Sequence, residues 1–173
     1  MVVASGGSGL VTRNVDAFAS DYEGSEIDST GASEEVQKYR TSKIAPANAA
    51  LSTLVVAEMS KAVGSDRIIQ GVDVTADSFY SSQGRKDDNF DDCNSDVIST
   101  IRTAYPSAKS LEMETFMLFH LAQCSRKEPI AASAAAIVLA NRLMGSAVEA
   151  EAVEPIEEKG GRAILEALVR FPL

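Results

Sequence analysis

The stretch SLEMETFMLFHLAQCSR, residues 110–126, sets two glutamates around a methionine at the mouth of an almost wholly apolar segment. Met113, Phe116, Met117, Leu118, Phe119, Leu121 and Ala122 spread around the helix surface instead of lining one stripe. The pattern predicts a buried helix from about Met113 to Ser125. A carboxylate at the entrance to such a helix is costly unless donors meet it. The question is what Glu112 and Glu114 hold.

Working outward, AKSLEM (108–113) reads as a short strand feeding that helix, and NSDVISTIRTAY (94–105) before it as an amphipathic helix capped by Asn94 or Ser95 and ended by Pro106. IIQGVDVTA (68–76) is β-branched and reads as a strand. PANAALSTLVVAEMSKAV (46–63) reads as a helix with proline near its start and Gly64 at its exit. At the amino end VVA reads as a buried strand, SGGSG (5–9) as a tight turn and LVTR (10–13) as a second strand or hairpin arm. Residues 14–43 are acidic and rich in Ser and Gly, which suits a long surface excursion. After the opening helix, IVLA within residues 129–143 reads as another buried strand. The tail from Val148 to Phe171 is helical in composition, with Pro155 and Gly160–Gly161 expected to split it. Alternating strands and helices predict one three-layer α/β domain over residues 1–173, a central mixed sheet flanked by helices.

The 173-residue chain is 45% hydrophobic and carries a net charge of −9. Apolar runs stop short of a membrane span. The acidic balance opposes nucleic-acid binding and a basic membrane-facing patch. Its concentrations at Asp87–Asp92 and Glu149–Glu158 read as solvated surface. MVVASGGSGLVTR lacks the pattern of a leader peptide, so the expected compartment is the cytoplasm. Cys93 and Cys124 have no CxxC partner, and the one histidine, His120, does not complete a metal site with them. Both are expected as free thiols, Cys124 as a small core residue, and no metal is expected.

Two motifs carry chemistry. In FYSSQGR (79–85), Gln83 offers an acceptor and two donors in one plane, Arg85 a rigid donor fork and Phe79 an aromatic face. The set suits a flat polar ring such as a pyrimidine; it also suits an ordinary surface loop. In LEMETF, Glu114 is matched to a vicinal diol and Met113 to the apolar face of a sugar. The same glutamates would equally favour the positive end of a helix. SGGSG lacks the Lys–Ser/Thr ending of a phosphate loop and the spacing of a dinucleotide loop, and reads as a turn.

Taken together, TADSFYSSQGR (75–85) and SLEMETFMLFHLA (110–122), with the order of elements around them, resemble the nucleoside phosphorylase-I superfamily, and within it the uridine phosphorylases. The resemblance covers nearly the whole chain. It implies a nucleoside-phosphorylase-like fold and phosphorolysis of uridine to uracil and ribose 1-phosphate, in nucleoside catabolism or pyrimidine salvage. It places Phe79, Gln83 and Arg85 around the base and Glu112, Met113 and Glu114 on the ribose, with Arg85 and Glu114 as the catalytic pair. Asn141–Arg142 stands where purine-cleaving relatives carry a Ser–Asp acid, which favours uracil as the leaving group. The implied co-substrate is inorganic phosphate, with no organic cofactor, and the implied assembly is a homo-oligomer built from dimers. In the family, phosphate is held by segments lying before the region that Met1 resembles. The chain is thus expected to correspond to the last two-thirds of a family domain, with no phosphate ligand assigned. The alternatives are a non-catalytic nucleoside-binding or structural homologue and a nucleoside hydrolase.

Overall fold

The computed structural model describes residues 1–19 and 37–172. In chain order these form β1 (Val2–Val3), β2 (Ser8–Arg13), α1 (Val15–Ala19), β3 (Tyr39–Thr41), α2 (Ala49–Val63), β4 (Ile69–Gln70), β5 (Val72–Ala76), α3 (Val97–Ala104), β6 (Ala108–Glu112), α4 (Thr115–Gln123), β7 (Ala135–Ala136), β8 (Ala140–Asn141), β9 (Ser146–Ala147) and α5 (Ala150–Arg170). The architecture is mixed α/β, with mixed sheets flanked by helices. One sheet runs β4-β1-β7, a second β3-β2-β5-β6, and β8-β9 is a separate hairpin.

The two larger sheets are joined by a pair of kinked strands. β1 pairs in parallel with β4, and β2 in parallel with β5. The chain passes from one sheet to the other at Ser5–Gly7 on one side and at Gly71 on the other. SGGSG is therefore not a reversing turn. It bends an advancing chain, and Ser8 and Gly9 already belong to β2. Gly7 has φ +91°, and a Cβ there would sit 2.4 Å from the Ala45 carbonyl oxygen, so only glycine fits the bend.

β5 lies between β2 and β6, with parallel pairing on both sides. Its alternating sequence VDVTA divides two environments. Val72, Val74 and Ala76 join Val11, Val97, Ile101 and Tyr105 in an apolar cluster under α3. Asp73 and Thr75 point to the opposite face, toward α4, where Phe119 is fully buried.

α2 begins at Ala49, three residues inside the predicted start, where Asn48 accepts the Leu51 N–H at 2.9 Å, and ends at Gly64. It packs on α5 through Leu51, Val55, Met59, Ala163 and Ala167. α5 runs unbroken for 21 residues, against the expected split. Pro155 removes one donor to the Glu151 carbonyl near the amino end, while the apolar contact with α2 holds the rest. Gly160 is a contact position and not a break: a Cβ there would come 2.7 Å from Met1 Cε.

Four further expectations are corrected. α4 buries Thr115, Phe119 and Ala122, one stripe at helical spacing, and leaves Met117, Leu118 and Leu121 exposed. Cys124 is exposed with it and is not a core residue; Cys93 is likewise a free, exposed thiol. IVLA is not a buried strand: β7 pairs with β1 for two residues, and Val138 and Leu139 then run exposed into the β8–β9 hairpin. The excursion expected over residues 14–43 contains α1 and β3, whose buried Tyr39 donates to the Asp92 carbonyl at 2.6 Å. Its middle, residues 20–36, lies outside the described residues. No described helix is long and apolar enough to cross a membrane.

Candidate active site

The carboxyl ends of β2, β5 and β6 lie side by side, and the two motifs leave from adjacent ones. β5 ends at Ala76 and continues into Phe79–Arg85. β6, paired Thr75 to Glu112, continues into Met113 and Glu114. In parallel α/β sheets this edge is where ligands bind. Arg13 ends β2 on the same edge, with its backbone N–H donating to Asp77 Oδ2 at 3.1 Å.

The FYSSQGR loop is built by short local bonds. Ser78 Oγ accepts the Ser82 N–H at 2.9 Å, and the Ser82 hydroxyl bonds to Asp77. Ser81–Gln83 form a single 3₁₀ turn that Gly84 ends in the left-handed region at φ 63°. Gln83 is buried by this turn, and its Oε1 accepts from Arg142 Nη2 at 2.7 Å. Asn94 Nδ2 donates to the Arg85 carbonyl at 2.7 Å and anchors the far end.

The Arg85 guanidinium lies over the Phe79 ring, 3.9 Å from its centroid, while Tyr80 meets Phe79 edge to face at 5.2 Å. Arg85 Nε is buried without a hydrogen-bond partner. Arg142 is pushed down from the usual guanidinium range by burial and then by the charge of Arg85. The Phe79, Gln83 and Arg85 predicted as one set are thus gathered around two converging guanidinia, the second of which the motif did not contain. Asn141 does not join them. Its Oδ1 accepts the backbone N–H groups of Leu143 and Met144 within its own hairpin.

The two glutamates of LEMETF play different parts. Glu112 turns inward and caps its own helix: its carboxylate accepts the N–H of Glu114 at 2.8 Å and of Thr115 at 3.0 Å, and the Thr75 hydroxyl at 2.6 Å. Thr75 Oγ1 in turn accepts the Phe116 N–H at 2.7 Å. Glu114 stays exposed; its Oε2 accepts the Met113 N–H at 3.3 Å, and its carboxyl is raised by burial and by its contact with Glu112. Met113 is half-buried between them. One carboxylate builds the turn and the other stands exposed at the edge. Behind Glu112 lies a polar row that neither motif contains: the buried Ser8, Asp73 and Thr75, with the half-buried Ser110 beside them. The signal was present in VDVTA, where polar residues alternate in a strand that has neighbours on both sides.

The family model of the phosphorylase superfamily matches residues 10–170. The chain belongs to the phosphorylase superfamily. Among solved structures, a uridine phosphorylase of the oomycete Phytophthora capsici is similar at 42% identity and a TM-score of 0.84, covering 99% of this chain and 60% of that one. A nucleoside phosphorylase of Trypanosoma brucei, described as having uridine phosphorylase activity, shares the fold at 18% identity and a TM-score of 0.63, over 96% of this chain and 59% of that one. No curated protein matches the chain. This phosphorylase-superfamily chain therefore spans about three-fifths of the length of the phosphorylases it resembles. No group of side chains suited to a metal occurs among the described residues.

Proposed function

We propose that the protein is a nucleoside phosphorylase acting on uridine, releasing uracil and ribose 1-phosphate. The observation that carries this is the grouping of Phe79, Gln83 and Arg85 with Arg142 of the β8–β9 hairpin, after β5, while the exposed Glu114 follows the neighbouring, parallel β6. The likeness to the Phytophthora capsici uridine phosphorylase supports the choice of base.

In this reading Glu114 accepts hydrogen bonds from the 2′ and 3′ hydroxyls, and Met113 covers the sugar. The base replaces Arg85 on the Phe79 ring and frees the guanidinium fork. Gln83 pairs with the ring N–H and a neighbouring carbonyl. Its Oε1 has two lone pairs, so the Arg142 bond leaves one for the base and fixes which way the amide points. Phosphate oxygen bonds to C1′ as the C1′–N1 bond breaks, and the electron pair passes to the uracil ring. Arg85 and Arg142 stabilise that charge in a partly dry site. No residue of this chain is assigned to phosphate, which enters as co-substrate, and an oligomer built from dimers belongs to the same proposal.

A second reading is a nucleoside-binding homologue without turnover, favoured by coverage of only three-fifths of the relatives' length. The test is uracil release from uridine with and without phosphate. Release that needs phosphate is the expected outcome. Release without it identifies a hydrolase. Uridine binding with no release under either condition supports the non-catalytic homologue.

A further inference from the structure

Asp73 sits on β5, 1% exposed, between Ser8 of β2 and Ser110 of β6. Its Oδ2 accepts the Ser8 hydroxyl at 2.9 Å and its Oδ1 the Ser110 hydroxyl at 2.5 Å. Among the described residues, no backbone N–H and no cation is bonded to its carboxyl. Glu112, within hydrogen-bonding reach on the same face, has much stronger support: one hydroxyl and two backbone N–H groups at the amino end of α4. Two carboxylates this close, Asp73 buried and Glu112 half-buried, do not both ionise, and the proton stays on the one with the weaker donors.

We propose that Asp73 is a positioning residue: it stands as the neutral acid behind Glu112 and donates a hydrogen bond to it, and this shared proton holds the Glu112–Glu114 turn in the orientation that offers Glu114 to a sugar. The role at the sugar rests on the function proposed above; the shared proton does not. The electrostatics agree with the geometry. Burial, then Glu112, pushes Asp73 up to about 7. For Glu112 burial acts upward but is outweighed by hydrogen bonds from Asp73, Thr75 and the N–H groups of Glu114 and Thr115, so its carboxyl is lowered. The ionisable groups facing Asp73 from the packed elements are Glu112 on β6 and, behind it, Glu114 before α4. β2 presents the neutral Ser8. As pH rises through neutrality Asp73 ionises, the bond to Glu112 is lost, and a second negative charge presses on the turn.

The experiment is a carbon-13 titration of side-chain carboxyls together with backbone amide resonances, from about pH 5 to about pH 9. In the wild type the Asp73 Cγ is expected to titrate near 7. The amides of Glu114 and Thr115 should move with the same midpoint, and Asp73→Asn, whose amide still donates, should leave them flat. An Asp73 Cγ that titrates in the ordinary aspartate range overturns the shared proton, and this measurement needs no substitution. Amides that move in the variant as in the wild type overturn its hold on the turn. Calorimetric uridine binding without phosphate tests the sugar role. Affinity should weaken about tenfold per pH unit above the midpoint in the wild type and stay level in Asp73→Asn. Parallel profiles in the two proteins overturn that role. Absence of uridine binding at every pH overturns the proposed function and the sugar role with it, while the carbon and amide titrations still decide the shared proton.

Discussion

Thr75 joins the sheet to the candidate site through one oxygen, and replacing it by valine removes that oxygen with little change of shape. The hydroxyl donates to Glu112 at 2.6 Å and accepts the Phe116 N–H at 2.7 Å, in a residue 1% exposed. A hydrogen bond to a charged group contributes about 1.5–3 kcal/mol, and a buried N–H left without an acceptor costs about 1–3 kcal/mol. Thr75→Val is therefore expected to destabilise the fold by roughly 3–5 kcal/mol, a large part of the about 5–15 kcal/mol typical of a domain. Thr75→Ser keeps the oxygen and loses one methyl, at a cost of about 1 kcal/mol. Urea unfolding followed by circular dichroism measures both, with an unchanged denaturant slope showing that the same surface is exposed. A valine variant as stable as the serine variant would refute the reasoning, because the hydroxyl would then not be the link between β5 and the start of α4.

Four further outcomes follow from the same geometry. Arg85→Ala should lower kcat by about 10²–10³ with a smaller rise in KM, since its bond strengthens as uracil gains charge; a loss confined to KM counts against that role. Glu114→Ala should weaken uridine by about 10–100-fold and barely affect an analogue lacking the ring hydroxyls, as competition assays can establish. Phe119→Ala should cost about 3–5 kcal/mol in thermal or urea unfolding, because Phe119 is fully buried against the sheet. Asp73 holds its proton more tightly folded than unfolded, its value rising from 3.8 to about 7, so its contribution is complete below about 4 and lost as pH rises through about 7. Wild-type stability relative to Asp73→Asn should fall by about 1.4 kcal/mol per pH unit across that window; a constant difference between the two would contradict it.

Local sequence located the pieces because their causes are local. Pro46 and Gly64 bracketed α2 through a missing donor and a permissive φ, both properties of single residues, although the structure caps the helix at Asn48. FYSSQGR stands on the polar loop after β5, as read; LEMETF joins the end of β6 to α4, which begins at Thr115, two residues past the expected Met113. The motifs also named the side chains that the structure gathers at one edge. Where the reading failed, the deciding quantity was a neighbour. Leu121 and Val138 are as apolar as Phe119, yet they are exposed, because hydrophobicity states what burial would gain and not whether another element is there to provide it. Pro155 and Gly160 punctuate an isolated helix, but α5 is held by contact with α2 and with Met1.

For the site the division falls between glutamates two residues apart. Composition and order determined that a carboxylate would stand at the entrance to α4 and that another loop would carry a planar amide and a guanidinium; the family resemblance implied that the two belong to one site. Only the tertiary structure decided that Glu112 turns inward and Glu114 stays out, that Arg142 reaches Gln83 across 59 positions of chain, and that Asp73 lies behind Glu112. The reason is physical. Side-chain type and strand or helix period act within a few residues, whereas parallel pairing of β2, β5 and β6 sets distant residues within hydrogen-bonding reach and removes the water that would otherwise keep their charges apart.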